Sequence, residues 1–111
     1  LRSKVDNRPI GVFDSGLGGL TVVKAIKELL PNESIVYFGD TARLPYGVKS
    51  QSLVKQYSKE IVKFLLEKNA KAVIIACNTA TAMALNSLKN EFKNIPIIGV
   101  IEPGSEKAIY E

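Results

Sequence analysis

Val73-Ile74-Ile75-Ala76-Cys77-Asn78-Thr79-Ala80 passes from an unbroken apolar run into polar residues at the only cysteine of the chain. Apolar, largely β-branched residues in succession, without alternation, suit a strand covered on both faces, as in a parallel sheet layered between helices. Residues 10–13, 35–38 and 97–101 have the same character and, with residues 72–76, predict four strands. Between them apolar residues recur at helical spacing. Leu20, Val23, Ile26, Leu29 and Leu30 form one stripe, Leu53, Tyr57, Ile61, Phe64 and Leu65 a second, and Ala84, Leu85 and Leu88 a third. Pro31-Asn32 closes the first helix, Ser50 caps the second and Asn69 ends it, while Ile95-Pro96 keeps helix out of the fourth strand. Residues 105–111 read as the start of a further helix.

Strand and helix in alternation with short connections predict an α/β fold, an open doubly wound parallel sheet of about four strands with flanking helices and right-handed crossovers. In such a sheet ligands gather outside the carboxyl ends of the strands, beside the point where strand order reverses. The segments expected on that edge are Asp14-Ser15-Gly16-Leu17-Gly18-Gly19, Gly39-Asp40-Thr41, Cys77-Asn78-Thr79 and Glu102-Pro103-Gly104.

Composition narrows the function classes. A length of 111 residues with 46% hydrophobic content supplies the core of one small domain. Lys and Arg number 15 against 11 Asp and Glu, a formal charge of +4, and the lysines are spread through the helical stretches. They read as solvated helix faces rather than a nucleic-acid-binding cluster. A lone cysteine forms no internal disulfide, no charged-then-apolar leader opens the sequence, and no run reaches the roughly 18 apolar residues of a membrane helix. The expectation is a cytoplasmic protein that binds neither nucleic acid nor membrane. The chain opens at Leu1 through a polar arm, residues 1–8, and stops inside an expected helix, so it reads as a fragment of a longer protein.

Three glycines between the first strand and first helix, with Asp40 ending the second strand, invite a dinucleotide-binding reading. Two features oppose it. Counted from Gly16, the G-x-G-x-x-G/A fingerprint needs glycine or alanine where Thr21 stands, and Asp14 puts a carboxylate close to where pyrophosphate would lie. No G-x-x-x-x-G-K-[ST] loop occurs either. Asp14 and Ser15 carry two readings that both stay open: helix capping, or a carboxylate and hydroxyl that accept from an ammonium group, orient a thiol or help move its proton.

Cys77 is likewise ambiguous taken alone, because free cysteine is often a small buried filler. Its place at the start of a helix changes the balance, since unpaired N–H groups and the positive end of the helix dipole favour a charged sulfur, a usable base or nucleophile. Asn78 and Thr79 add backbone donors and short polar side chains at the same helix start, a cradle for a carboxylate.

Asp14-Ser15-Gly16-Leu17-Gly18-Gly19-Leu20, Gly39-Asp40-Thr41-Ala42-Arg43-Leu44-Pro45-Tyr46-Gly47 and Ala76-Cys77-Asn78-Thr79-Ala80 together resemble the amino-terminal half of bacterial glutamate racemase, of the cofactor-independent aspartate/glutamate racemase superfamily. The resemblance spans residues 9–104. It implies an enzyme that interconverts L- and D-glutamate with two cysteines on opposite faces of the α-carbon, without pyridoxal cofactor or metal. On matching positions it makes Cys77 one acid/base thiol, Asp14 its auxiliary carboxylate and a substrate contact, and Ser15, Pro45, Tyr46, Gly47, Asn78 and Thr79 the substrate-binding set. Turn preference alone would make Tyr46 a rim residue; the resemblance makes its loop a substrate-binding wall. It also implies that D-glutamate feeds peptidoglycan synthesis, that the parent is a homodimer, and that residues 1–111 are an incomplete amino-terminal α/β domain of a two-domain fold. Retrieving a proton on the same face regenerates the starting enantiomer, so a second thiol is required, and the resemblance places it beyond Glu111. The isolated fragment is therefore expected to be inactive. A racemase of aspartate is the alternative within the superfamily, whose aspartate and hydantoin members usually lack this form of the glycine loop; a nucleotide-binding Rossmann-like module is the alternative outside it.

Overall fold

The computed structural model describes residues 6–16, 18–101 and 108–110. Its sheet is built from β1 (Ile10–Asp14), β2 (Ile35–Gly39), β3 (Ala72–Ile75), β4 (Ile97–Ile101) and β5 (Ala108–Tyr110), in the order β2-β1-β3-β4-β5. The four expected strands are present and run parallel; β5 is added antiparallel at the edge.

The helices are α1 (Gly19–Leu29), α2 (Gln51–Glu67) and α3 (Asn78–Glu91). The continuous apolar strands are explained by cover on both faces. Val12, Ile74, Ala76 and Val100 pack with Val22 and Ile26 of α1 on one side, while Phe13, Val73, Ile75 and Ile97 pack with residues of α2 and α3 on the other. Among the described residues no helix is long and apolar enough to cross a membrane.

The helix punctuation is legible in the coordinates. Ser50 Oγ accepts from the Leu53 N–H at 3.1 Å, capping α2. Asn69 follows α2 at φ 68, the left-handed conformation that Asn tolerates after a helix, and its N–H reaches back to the Leu66 carbonyl at 2.9 Å. α3 ends at Glu91 with Phe92 as its C-cap, ahead of Pro96, whose carbonyl accepts from the Val73 N–H at 3.0 Å and opens the β3–β4 ladder.

Two expectations are corrected. The stripe on α1 is Gly19, Val22 and Ile26 with Val23 partly covered; Leu20, Leu29 and Leu30 are exposed. At about 100° per residue Leu20 lies on the side of the helix opposite Val22, Leu29 sits in the last turn, and Leu30 is already the C-cap. The helix expected from residue 105 is not found where the chain is described, because residues 108–110 form β5. The edge of β4 offers these residues a ladder that pairs Gly99 with Tyr110, Val100 with Ile109 and Ile101 with Ala108. Glu102-Pro103-Gly104, expected as an exit turn, lies outside the described residues, as does Leu17.

Strand order reverses beside β1. From there the chain runs outward to β2, then crosses to the other side of β1 to lay down β3. The carboxyl ends of β1 and β3 are therefore neighbours, with Phe13 paired to Ile75 and the Ala76 N–H donating to the Phe13 carbonyl at 2.8 Å.

Candidate active site

Asp14 is the last residue of β1 and is only 6% exposed. Its Oδ1 accepts from the Ser15 N–H at 2.8 Å and its Oδ2 from the Gly19 N–H at 2.6 Å. The carboxylate thus ties the first amide of α1 to the strand that precedes it, so the capping reading holds for Asp14. A Cβ on Gly19 would sit 2.9 Å from Asp14 Cβ, 2.9 Å from Tyr37 Cε1 and 3.2 Å from Ala76 Cβ, which is why the approach is made at glycine. The same geometry weakens the dinucleotide alternative. The amide that would meet a pyrophosphate at the start of α1 is occupied by a carboxylate.

Cys77 follows β3 and is the N-cap of α3; its Sγ accepts from the Ala80 N–H at 3.4 Å. A sulfur in this position takes the place of the usual oxygen cap, satisfying one of the unpaired amides of the helix start. The thiol also donates to Ser15 Oγ at 3.4 Å, joining the two loops across the switch point. Although Cys77 is 7% exposed as a residue, it lines an open cleft of about 330 Å³ together with Asp14, Ser15, Leu44, Asn78 and Thr79. Cys77 is thus both a lining residue of this cleft and a member of the buried cluster that packs α2 and α3 on the sheet.

The loop after β2 is arranged differently from expectation. Leu44 lines the cleft, but Pro45, Tyr46 and Gly47 do not. Tyr46 is buried, and its phenol donates to Asp40 Oδ2 at 2.5 Å. Burial, the hydrogen bond to Asp40 and the charge of Asp40 push the Tyr46 phenol far above the ordinary tyrosine range, with Cys77 adding in the same sense, so it stays a neutral donor. What this segment can offer a ligand is therefore backbone: Tyr46 and Gly47 open a short 3-10 turn, Tyr46–Val48, whose first amides have no partner within the turn.

Asp40 is 5% exposed, and the same Oδ2 accepts from Arg43 Nε at 2.8 Å. It anchors a loop, which is a different use from the ribose contact that the nucleotide alternative required. Arg43 continues to Glu60 on α2 at 2.9 Å and lies 3.9 Å over the Tyr57 ring. Burial alone would lower the Arg43 guanidinium, but Glu60 and Asp40 together raise it. On the other side of the cleft Tyr37 donates to the Gly16 carbonyl at 2.8 Å, its phenol pushed up by burial and by the charge of Asp14. Arg43, Glu60, Tyr57 and Tyr37 were not identified from sequence. The Asp40-to-Arg43 step of three residues was the one local signal; Glu60 and Tyr57 meet the loop only through tertiary packing.

Among the described residues no three His, Cys, Asp or Glu side chains come together as a metal-ligand set. Two larger depressions lie elsewhere, one by Phe92 and Pro96 and one between α2 and α3, and neither gathers a thiol, carboxylate and helix start as this cleft does. A thiol with a carboxylate nearby at a sheet switch point is equipped for proton transfer.

Residues 10–110 match the Asp/Glu/hydantoin racemase family. The chain belongs to that family. Glutamate racemase of Streptococcus thermophilus is 54% identical over 105 residues, 95% of this chain and 38% of the relative. Among solved structures, glutamate racemase of Thermus thermophilus in complex with β-chloro-D-alanine superposes with a TM-score of 0.82 at 52% identity, covering 87% of this chain and 38% of that one. Glutamate racemase of Francisella tularensis in complex with D-glutamate gives 0.80 at 53% identity, over 86% of this chain and 36% of that one. The chain thus spans a little over a third of the length of the racemases that it matches, and its parallel sheet with flanking helices is the racemase architecture.

Proposed function

We propose that this chain is the amino-terminal part of a glutamate racemase and that Cys77 is one of two thiols exchanging the α-proton of glutamate. The reading rests above all on Cys77, which lines the cleft with Asp14 at the neighbouring ends of β1 and β3 and whose thiol reaches Ser15 Oγ. Family membership and the glutamate racemases more than half identical to the chain support glutamate as the substrate.

In this mechanism the Cys77 thiolate removes the α-hydrogen, the electron pair passes into the substrate carboxylate, and a thiol on the opposite face returns a proton. The second thiol comes from the part of the racemase polypeptide that this chain does not span. An amino-acid α-proton is very weakly acidic, so the developing charge needs directed N–H donors and a dry, closed site. In this reading Asn78 and Thr79, which line the cleft at the α3 start, supply such donors, Asp14 assists the thiol, and Ser15 orients it through the 3.4 Å contact. The whole protein uses no cofactor, acts as a homodimer in the cytoplasm and supplies D-glutamate for peptidoglycan.

The test is made in the complete polypeptide. Cys77→Ser and Cys77→Ala are expected to abolish L-to-D and D-to-L conversion followed by circular dichroism, while wild type converts in both directions. Wild-type rates in either variant would remove Cys77 from the chemistry. The 111-residue chain alone is expected to show negligible conversion; robust turnover by it would refute the two-thiol scheme.

A further inference from the structure

We propose that Arg43 is a positioning residue for the loop after β2, tying the buried Asp40 and, through it, the Tyr46 phenol to α2 so that Leu44 is held at the cleft. The proposal deepens the racemase reading, and its kinetic arm rests on that reading.

The geometry centres on one oxygen. Asp40 Oδ2 accepts from Tyr46 Oη at 2.5 Å and from Arg43 Nε at 2.8 Å, while Arg43 Nη1 reaches Glu60 Oε1 at 2.9 Å. The guanidinium carbon lies 3.9 Å from the Tyr57 ring centroid, and the Tyr57 ring in turn lies 5.9 Å from that of Tyr46. A planar fork that donates to two carboxylates and stacks on an aromatic face is a task for arginine and not for lysine. Asp40 is nearly inaccessible, and a buried carboxylate is tolerable only with a compensating charge. Without Arg43 the buried Asp40 side chain would lose the ion pair that fixes its Oδ2, and with it the tie that holds Tyr46 to α2.

Between the two anchors, Asp40 and Tyr46, the chain carries Leu44 onto the cleft lining, close against Gly16. Arg43 has no hydrogen bond or ion pair with Cys77 or Asp14 among the described residues. A wall held by Arg43 binds ground state and transition state alike, and loss of such uniform binding raises KM while leaving kcat in place.

The experiment uses the complete racemase polypeptide with Arg43→Met, Arg43→Lys and the double variant Asp40→Asn/Arg43→Met. Arg43→Met is expected to raise KM for glutamate about tenfold, the scale of one lost charged hydrogen bond, with kcat within about threefold. Arg43→Lys should recover part of the loss, because an ammonium restores the charge but not the fork. Asp40→Asn should cost less in the Arg43→Met background than in wild type, since the charge to be compensated is then gone. An unchanged KM in Arg43→Met, or a fall in kcat at constant KM, overturns the proposal. Amide hydrogen exchange at residues 44–48, read without substrate, should quicken in Arg43→Met; unchanged exchange overturns the latch whatever the activity. A wild-type polypeptide that does not racemise glutamate sinks the functional reading and leaves exchange to decide the latch. If Arg43→Met does not fold, the double variant carries both measurements.

Discussion

Gly19→Ala tests the contact on which both the fold and the site depend, the approach of the α1 start to the ends of β1 and β3. The added Cβ would meet Asp14 Cβ and Tyr37 Cε1 at 2.9 Å and Ala76 Cβ at 3.2 Å, three neighbours rooted in the sheet. None is the loose end of a flexible side chain, so the helix must withdraw by roughly half an ångström or more to restore ordinary van der Waals contact, an overpacking cost of about 1–3 kcal/mol. The same withdrawal lengthens the bond from the Gly19 amide to Asp14 Oδ2, now 2.6 Å, and a hydrogen bond to a charged group is worth about 1.5–3 kcal/mol. Against this, alanine gains at most about 1 kcal/mol of helix propensity over glycine, and less at the first helical residue. The losses win, and net destabilisation is about 2–4 kcal/mol, a large fraction of the roughly 5–15 kcal/mol of an ordinary domain. Urea unfolding followed by far-ultraviolet circular dichroism should show an unchanged slope and a midpoint lower by about 1–2 M, taking a slope near 2 kcal/mol/M. A midpoint equal to or above that of wild type would refute the close packing of α1 on the switch point.

Three further outcomes follow from the same coordinates. Gly47→Ala is the steric counterpart, since a Cβ there meets nothing within 4 Å; its urea midpoint should match wild type to within about 0.5 kcal/mol of stability, and a larger loss would show that the loop is packed otherwise. Ser58 Oγ is buried on α2 with no partner among the described residues, so Ser58→Ala should be neutral or stabilising by up to about 1 kcal/mol in the same assay, whereas a loss above that would mean the hydroxyl is satisfied. Tyr37 and Tyr46 both have phenols pushed above the ordinary value, so the folded state keeps protons that the unfolded state releases near pH 10. The stability they contribute is complete below about pH 10 and is lost as pH rises further; the urea midpoint should fall between about pH 9.5 and 11.5, less steeply in Tyr46→Phe, and equal slopes in the two proteins would contradict the assignment.

Much of the site was readable because it is local. Cys77 is marked as a candidate by standing where an apolar strand breaks into Asn78 and Thr79, and Asp14 by ending a strand of the same kind. The loop after β2 was harder. Its motif marks Pro45, Tyr46 and Gly47 as a wall, but whether an aromatic ring faces the cleft or the core depends on where Asp40 and Tyr57 wait to receive it, and that is a matter of packing between β2 and α2. The α1 stripe was misjudged for a related reason. The leucines are conspicuous in that stripe, yet the surface that meets the sheet is Gly19, Val22 and Ile26, because the helix start has to come close to Asp14.

Periodicity and punctuation by themselves determined the four parallel strands, the three helices between them and the edge of the sheet where the candidate cleft lies, because burial on two faces and helix termination are written in short stretches of chain. Only the tertiary structure decided that the Cys77 thiol meets Ser15 across the cleft, that Asp14 is held by the start of α1, and that Tyr46 turns inward to Asp40. Those choices set groups from distant parts of the chain at hydrogen-bonding distance, and such distances are fixed by the packing of whole elements rather than by any residue's immediate neighbours.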